Sequence, residues 1–83
     1  MSDYALVVLS SVTYAKRMEH LLEQRGITAT VGHTPKSLSQ KGCSYAVKVR
    51  MRDLPVLLEL TEALALKVYG VYRKKGENYD LLG

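Results

Sequence analysis

The feature that most constrains this fold is the alternation of short strand-like runs with two amphipathic helical segments. The run at 4–10 is short, apolar and rich in valine and leucine, as is typical of a buried strand. The run at 44–50 alternates, with Tyr45, Val47 and Val49 on one face and polar or small residues on the other. Together with two weaker runs, these patterns predict four strands, at residues 4–10, 27–31, 44–50 and 67–73.

Between the first two strands, the spacing predicts a helix over 12–25. Its buried face is marked by Ala15, Met18 and Leu22, which lie three and four residues apart. Ser10 or Ser11 is expected to cap the first turn through its hydroxyl. Gly26 tolerates a left-handed closing turn and is expected to end the helix.

A second helix is predicted after the third strand. Asp53 is a suitable N-cap, and Pro55 stands in the first turn, where a missing amide proton costs little. The predicted buried stripe consists of Val56, Leu57, Leu60, Ala63 and Leu64.

The resulting order, β-α-β-β-α-β, predicts an α+β fold. We expect a ferredoxin-like split βαβ sandwich, in which a four-stranded antiparallel sheet carries both helices on one face. Residues 1–83 are expected to form a single domain, with 75–83 as a loose C-terminal tail. This architecture hosts many unrelated functions, so it sets none by itself.

Composition narrows the function classes. The chain has 83 residues, which leaves little room for a large active site within one domain. Its single cysteine excludes an internal disulfide and a multi-cysteine zinc site, and it favours a reducing compartment. The N-terminal residues lack a secretory pattern and no apolar run is long enough to span a membrane, so we expect a cytoplasmic, soluble protein. The net charge of +4 permits an anionic partner without requiring one.

Cys43 is the candidate reactive residue. Lys36, Lys41 and Lys48 are near it in sequence, and no acidic residue occurs from Gly26 to Arg52. Positive charge lowers the pKa of a thiol and so increases its thiolate, which is the nucleophilic form. The alternative is that Cys43 is a small apolar residue at the start of a strand. Without a second cysteine, any sulfur-transfer cycle needs a thiol from a partner.

The sequence gives little support for a catalytic histidine, a metal site or a phosphate-binding loop. His33 could act as a base for Cys43, although a surface loop histidine is the simpler interpretation. No group of His, Cys, Asp and Glu has metal-ligand spacing, and there is no Walker-type glycine-rich loop. We therefore expect neither a metal nor a cofactor, and a carrier or binding protein rather than a true enzyme.

Residues 41–48 match part of the third-strand signature of RNA recognition motifs. The Lys41-Gly42 pair and Tyr45 fit, but Cys43 and Lys48 occupy aromatic positions of the signature. The predicted first strand also lacks a stacking ring between residues 5 and 10. Since each stacked base contributes about 1–3 kcal/mol, we expect no sequence-specific RNA binding, and nucleic acid is not an expected partner of this chain.

The segment from Thr34 to Val47 resembles the selenium/sulfur carrier-like family of small bacterial proteins. The resemblance covers residues 4–72, and its most specific parts are Thr34-Pro35, Ser39 and Gly42-Cys43. Relative to the family pattern, the interval from Pro35 to Cys43 is one residue longer, and Ser44 replaces a glycine.

The resemblance implies that Cys43 carries sulfur or selenium as a persulfide or perselenide. Donor and acceptor proteins would then be its partners. The residues around it that would admit the donor are those of the loop: Thr34, Pro35, Lys36, Ser39, Lys41 and Gly42.

A different class of function also fits the sequence. The chain could be a non-catalytic protein-interaction module, including a homodimer that pairs open sheet faces or edge strands. Tyr69, Tyr72 and the Leu81-Leu82 pair would then be contact residues, and Cys43 would be incidental.

Overall fold

The computed structural model describes residues 3–35, 38 and 45–82, and these form an α+β fold with two α-helices and an antiparallel sheet. The predicted site residues Lys36, Ser39, Lys41, Gly42 and Cys43 lie outside the described residues. In chain order the elements are β1 (Tyr4–Leu9), α1 (Val12–Gln24), β2 (Thr30–His33), β3 (Tyr45–Arg50), a 3-10 turn (Met51–Asp53), α2 (Leu54–Ala63), β4 (Val68–Lys75) and β5 (Asn78–Leu81).

The described sheet has five strands in the order β2-β3-β1-β4-β5, so the prediction of four was wrong. Every neighbouring pair is antiparallel. The added strand β5 pairs with β4 from Lys75↔Asn78 to Tyr72↔Leu81, and it falls within residues 75–83, where a loose tail was expected. Gly76 opens the two-residue turn between them with a φ of +62°, which glycine adopts without steric cost. The residues of β5, Asn-Tyr-Asp-Leu, alternate polar and apolar side chains over four positions only, and so short a run was not recognised as a strand in the sequence.

The hydrophobic core lies between one face of the sheet and both helices. On β1 this face carries Ala5, Val7 and Leu9, which are at most 1% exposed. The other strands add Val47, Val49 and Val71, and the helices add Ala15, Met18, Leu22, Leu54, Leu57 and Leu60. Since the two helices contact each other and share this cluster, they cover the same face of the sheet. We call the opposite side the open face.

Helix α1 begins and ends as the sequence predicts. The Ser11 hydroxyl accepts a hydrogen bond from the Thr13 amide at 3.2 Å, which settles the cap in favour of Ser11 over Ser10. At the other end, Gly26 has a φ of +76°. The amides of Gly26 and Ile27 donate back to Glu23 and Leu22, the hydrogen bonding of a Schellman motif. Because Ile27 serves this closing turn, β2 starts at Thr30 instead of the predicted residue 27.

Helix α2 departs from the prediction at both ends. Asp53 occupies the N-cap position but makes no side-chain capping bond, because the preceding 3-10 turn already holds its backbone in a helical conformation. Pro55 lies in the first turn, as expected. The buried residues are Leu54, Leu57, Leu60 and Thr61; Val56 is half-buried, while Ala63 and Leu64 are exposed where the helix ends.

Candidate functional site

The predicted carrier loop leaves the sheet from β2 and returns through β3. Its two flanking residues, His33 and Tyr45, pair across these strands. Their rings also contact each other, with centroids 4.9 Å apart and planes inclined by 33°. The loop therefore starts and ends at adjacent points of the sheet, and this closure is fixed by strand register.

The described part of the loop consists of Thr34, Pro35 and Leu38. Thr34 is buried and Pro35 is half-buried, so the beginning of the loop lies against the body of the protein. The Leu38 amide donates a hydrogen bond to the Pro35 carbonyl at 2.9 Å. Of the six predicted donor-binding residues, Thr34 and Pro35 directly follow the end of β2, and the other four lie outside the described residues.

Cys43, the predicted reactive residue, also lies outside the described residues. In the sequence it stands two positions before Tyr45, the first residue of β3. The proposed pairing of His33 with this thiol therefore stays a prediction. The described neighbour of the His33 ring is the Tyr45 ring.

A shallow cavity of about 190 Å³ lies on the open face and reaches the start of the loop. Its floor is formed by small and apolar residues of three strands, Leu6, Gly32 and Ala46, and Pro35 lines it at the loop end. Small-molecule pockets usually enclose roughly 300–1,000 Å³, so this cavity is too small for a typical ligand and has room only for one of its chemical groups.

Two lysines, Lys48 and Lys74, flank this cavity. The Nζ of Lys48 lies 5.0 Å from the ring centroid of Tyr4, and the Nζ of Lys74 lies 6.0 Å from that of Tyr79. Both lysines are half-buried, and neither has a carboxylate partner among the described residues. The cavity is therefore bordered by positive charge that no acidic group of the described chain neutralises.

One ion pair in the described chain lies on the helix side of the sheet. Arg73 donates to the Asp3 carboxylate through Nε, at 3.0 Å, and through a second guanidinium nitrogen. This hydrogen bonding holds the pKa of Asp3 below its ordinary value and raises the pKa of Arg73. The pair connects the start of β1 to β4, and it does not contribute charge to the open face.

The structure changes which aromatic residues could contact a ligand. Tyr45, the ring that fitted the RNA-recognition signature, shares its face with Val47 and Val49 and packs against the core. The open face instead carries Tyr4, Tyr72 and Tyr79, through the pairs Tyr4↔Lys74, Leu6↔Tyr72 and Lys74↔Tyr79. Tyr4 could have been found from its alternation with Leu6, whereas Tyr79 required the unpredicted strand β5.

The described residues contain no trio of His, Cys, Asp and Glu side chains placed to share a metal ion. Within the same residues, neither helix is long and apolar enough to cross a membrane.

Comparison with known proteins identifies one family. A family model described as "Putative Se/S carrier protein-like" matches residues 4–73, which is most of the chain. Comparisons with curated proteins and with solved structures found no significant match.

Proposed function

This chain belongs to the Se/S carrier protein-like family, and from that premise we propose that Cys43 carries sulfur or selenium between partner proteins. The observation that carries the proposal is the family match, which spans both strands that flank the loop. The loop from Thr34 to Gly42 would admit the donor, and the single cysteine would require a separate protein to accept the cargo.

The chemistry is a thiol–persulfide exchange. The Cys43 thiolate attacks the terminal sulfur of a donor persulfide; a new S–S bond forms at Cys43 while the donor's S–S bond breaks, and the donor leaves as a thiolate. An acceptor thiolate then repeats the exchange and releases Cys43. Neither step needs an external oxidant or reductant, and selenium at the terminal position would follow the same course.

The charge distribution supports a reactive thiolate. Lys36 and Lys41 belong to the same loop as Cys43, and the nearest acidic residues in sequence are Glu23 and Asp53. Lys48, on the adjoining strand, is without a carboxylate partner in the described structure. Positive charge near a thiol stabilises its anion, so we expect the pKa of Cys43 to lie below the unperturbed value of about 8.5.

The rate of Cys43 alkylation as a function of pH tests this expectation. A pKa below about 8.5 is expected in the native chain, with a higher value in the variant that combines Lys36→Gln and Lys41→Gln. Lys16→Gln is the matched control, because Lys16 is exposed on α1. An apparent pKa at or above about 8.5 in the native chain would contradict the carrier proposal.

Intact-mass analysis of protein isolated without reductant tests the cargo directly. Since persulfides are reversible modifications of reactive thiols, an addition of about 32 Da indicates sulfur and one of about 79 Da indicates selenium. The addition should disappear on treatment with a thiol reductant and should never form on the Cys43→Ser variant. Protein that stays unmodified after exposure to a persulfide donor would refute the carrier function.

A second candidate is a homodimeric interaction module, which the exposed end of β5 favours. Leu81, the last residue of the edge strand β5, is 69% exposed, and Leu82, which follows it, is 47% exposed. Unpaired edge strands are templates for association with another chain. Sedimentation equilibrium should then show a dimer that Leu81→Lys dissociates, and a monomer at all concentrations would remove this candidate.

We also propose that β1 to β4 and the two helices form a ferredoxin-like unit, to which β5 is added at the β4 edge. The strand order β2-β3-β1-β4 and the placement of both helices on one face support this arrangement. An experimental structure in which the first four strands adopt another order would overturn it.

A further inference from the structure

The open face of the sheet carries a row of alternating cations and tyrosines. Strand register places Arg50, Tyr4, Lys74 and Tyr79 side by side on β3, β1, β4 and β5. Because neighbouring strands lie about 4.8 Å apart, the row extends for roughly 14 Å across the sheet. The two rings are therefore separated by one strand that presents a lysine.

The next row of the same face carries one cation and one ring, separated by Leu6, and it ends at Leu81 of β5. Register aligns Lys48 with Leu6 on β1, and Leu6 with Tyr72 on β4. The Tyr72 ring extends over Gly70, where a Cβ atom would come within 2.7 Å of its Cε2. This ring thus lies along the sheet, and Lys48 extends toward the Tyr4 ring of the first row.

No acidic residue occupies an open-face position of the described strands. The two aspartates nearest to the rows, Asp3 and Asp80, are associated with Arg73: Asp3 contacts its side chain, and Asp80 pairs with it in the β4–β5 register. Since Arg73 pairs with Ala5 of the core face, both carboxylates belong to the other side of the sheet. The open face therefore presents positive charge and aromatic rings together.

In contrast to the expectation from the sequence, we propose that this face binds single-stranded nucleic acid without sequence preference, a function separate from the carrier role of Cys43. Unpaired bases expose their flat faces, which stack on aromatic side chains, while the phosphates between them attract lysine and arginine. Tyr4, Tyr72 and Tyr79 would contact bases, and Lys48, Lys74 and Arg50 would contact phosphates. The cavity between the two lysines has room for a phosphate or sugar group.

Other anionic ligands explain less of this face. A small inorganic anion would use the lysines and leave the three rings without a role. A duplex keeps its base faces stacked inside, so it would contact the cations alone. An unpaired strand uses both kinds of residue, and the alternation of ring and cation along the row matches the alternation of base and phosphate.

Fluorescence anisotropy of labelled single strands of about 12 nucleotides, both RNA and DNA, tests the proposal with the full chain. Three phosphate contacts predict that the logarithm of the binding constant falls with the logarithm of salt concentration with a slope of about −2. Binding should exceed that of a duplex or of polyphosphate of equal charge. Equal binding of all three polyanions, or no binding at low salt, would overturn the proposal.

Ring substitutions separate stacking from charge. Tyr79→Leu is expected to weaken binding by roughly 5- to 150-fold, whereas Tyr79→Phe keeps the ring and should retain the affinity. Tyr14→Leu is the matched control, since Tyr14 is exposed on α1, away from the sheet. Equal effects of the Tyr79→Leu and Tyr14→Leu substitutions, with native circular dichroism in both, would overturn the assignment of Tyr79.

Charge substitutions provide a second measurement if Tyr79→Leu does not fold. Lys74→Gln should reduce the magnitude of the salt slope by about 0.7, and Lys16→Gln on α1 should leave it unchanged. An unchanged slope in Lys74→Gln would refute the phosphate contact. The Cys43→Ser variant is expected to bind nucleic acid as the native chain does, so failure of the carrier proposal and failure of this one give different results.

Discussion

Gly70 is the position at which a single methyl group should show how the open face is packed. A Cβ built there would lie 2.7 Å from Cε2 of Tyr72 and 3.1 Å from its Cζ, closer than carbon atoms approach without displacement. Gly70→Ala therefore requires the Tyr72 ring to move away from the strand. The ring covers this part of β4, next to Val8, which is 3% exposed and pairs with Gly70.

The expected free-energy change follows from two opposing effects. Adding a methyl group to a well-packed site destabilises proteins by roughly 1–3 kcal/mol, and the lower end applies here because the close atoms belong to the outer end of the half-buried Tyr72 ring, which can move. Replacing glycine by alanine within a strand stabilises by roughly 0.5–1 kcal/mol, because the unfolded chain loses conformational freedom. Gly70 does not have a positive φ, so the second effect applies in full. The two effects should thus nearly cancel in the native background, with a net loss of about 0–0.5 kcal/mol of unfolding free energy.

A double-mutant cycle measured by urea denaturation tests this reasoning. In a Tyr72→Ala background the clash is absent, so Gly70→Ala should stabilise by about 0.5–1 kcal/mol, a reversal of sign. Gly32→Ala is the control, because no described atom lies within 4 Å of its added Cβ, and it should stabilise in both backgrounds. If Gly70→Ala has the same effect with and without the Tyr72 ring, the contact does not govern the packing of this face.

Two further predictions concern the strand and helix ends. Because the pKa of Asp3 is lowered in the folded state, the stabilising effect of its carboxylate is present above about pH 4–5 and is lost as pH falls through the folded pKa. The melting temperature of the Asp3→Asn variant should therefore fall less in acid than that of the native chain. An identical dependence of melting temperature on pH would contradict the ion pair with Arg73. Ser11→Ala should lower the free energy of unfolding by about 0.5–2 kcal/mol, whereas Ser10→Ala should change it little. Equal losses for the two variants in urea denaturation would show that the Ser11 cap is not the stabilising contact.

Much of the fold follows from local patterns. Three local signals predict the helix over Val12–Gln24: a capping serine, apolar residues three and four positions apart, and a glycine after its end. The observed helix agrees with all three. The strand Tyr45–Arg50 alternates clearly, and its apolar face is the core face. Errors arise where tertiary contacts replace local preference. The Schellman turn delays β2, and pairing with β4 creates β5 from residues that resemble a tail.

The two candidate sites also differ in how much of each the sequence reveals. Cys43 and its basic loop are prominent in the sequence, because a lone cysteine without nearby acidic residues can be seen without a structure. The tyrosines and lysines of the open face come from segments far apart in the chain, Tyr4 from the start and Tyr79 from the end. Their assembly depends on register across four strands, which no local pattern encodes.

The sequence by itself determined that this chain alternates strands with two amphipathic helices, that any disulfide chemistry must involve a partner, and that its family is that of Se/S carrier-like proteins. Tertiary structure decided which half-buried tyrosines share the open face, where β5 pairs, and which lysines lack carboxylate partners within the described residues. The physical reason is that periodicity records which residues are buried, whereas the neighbours of an exposed residue depend on strand order and register.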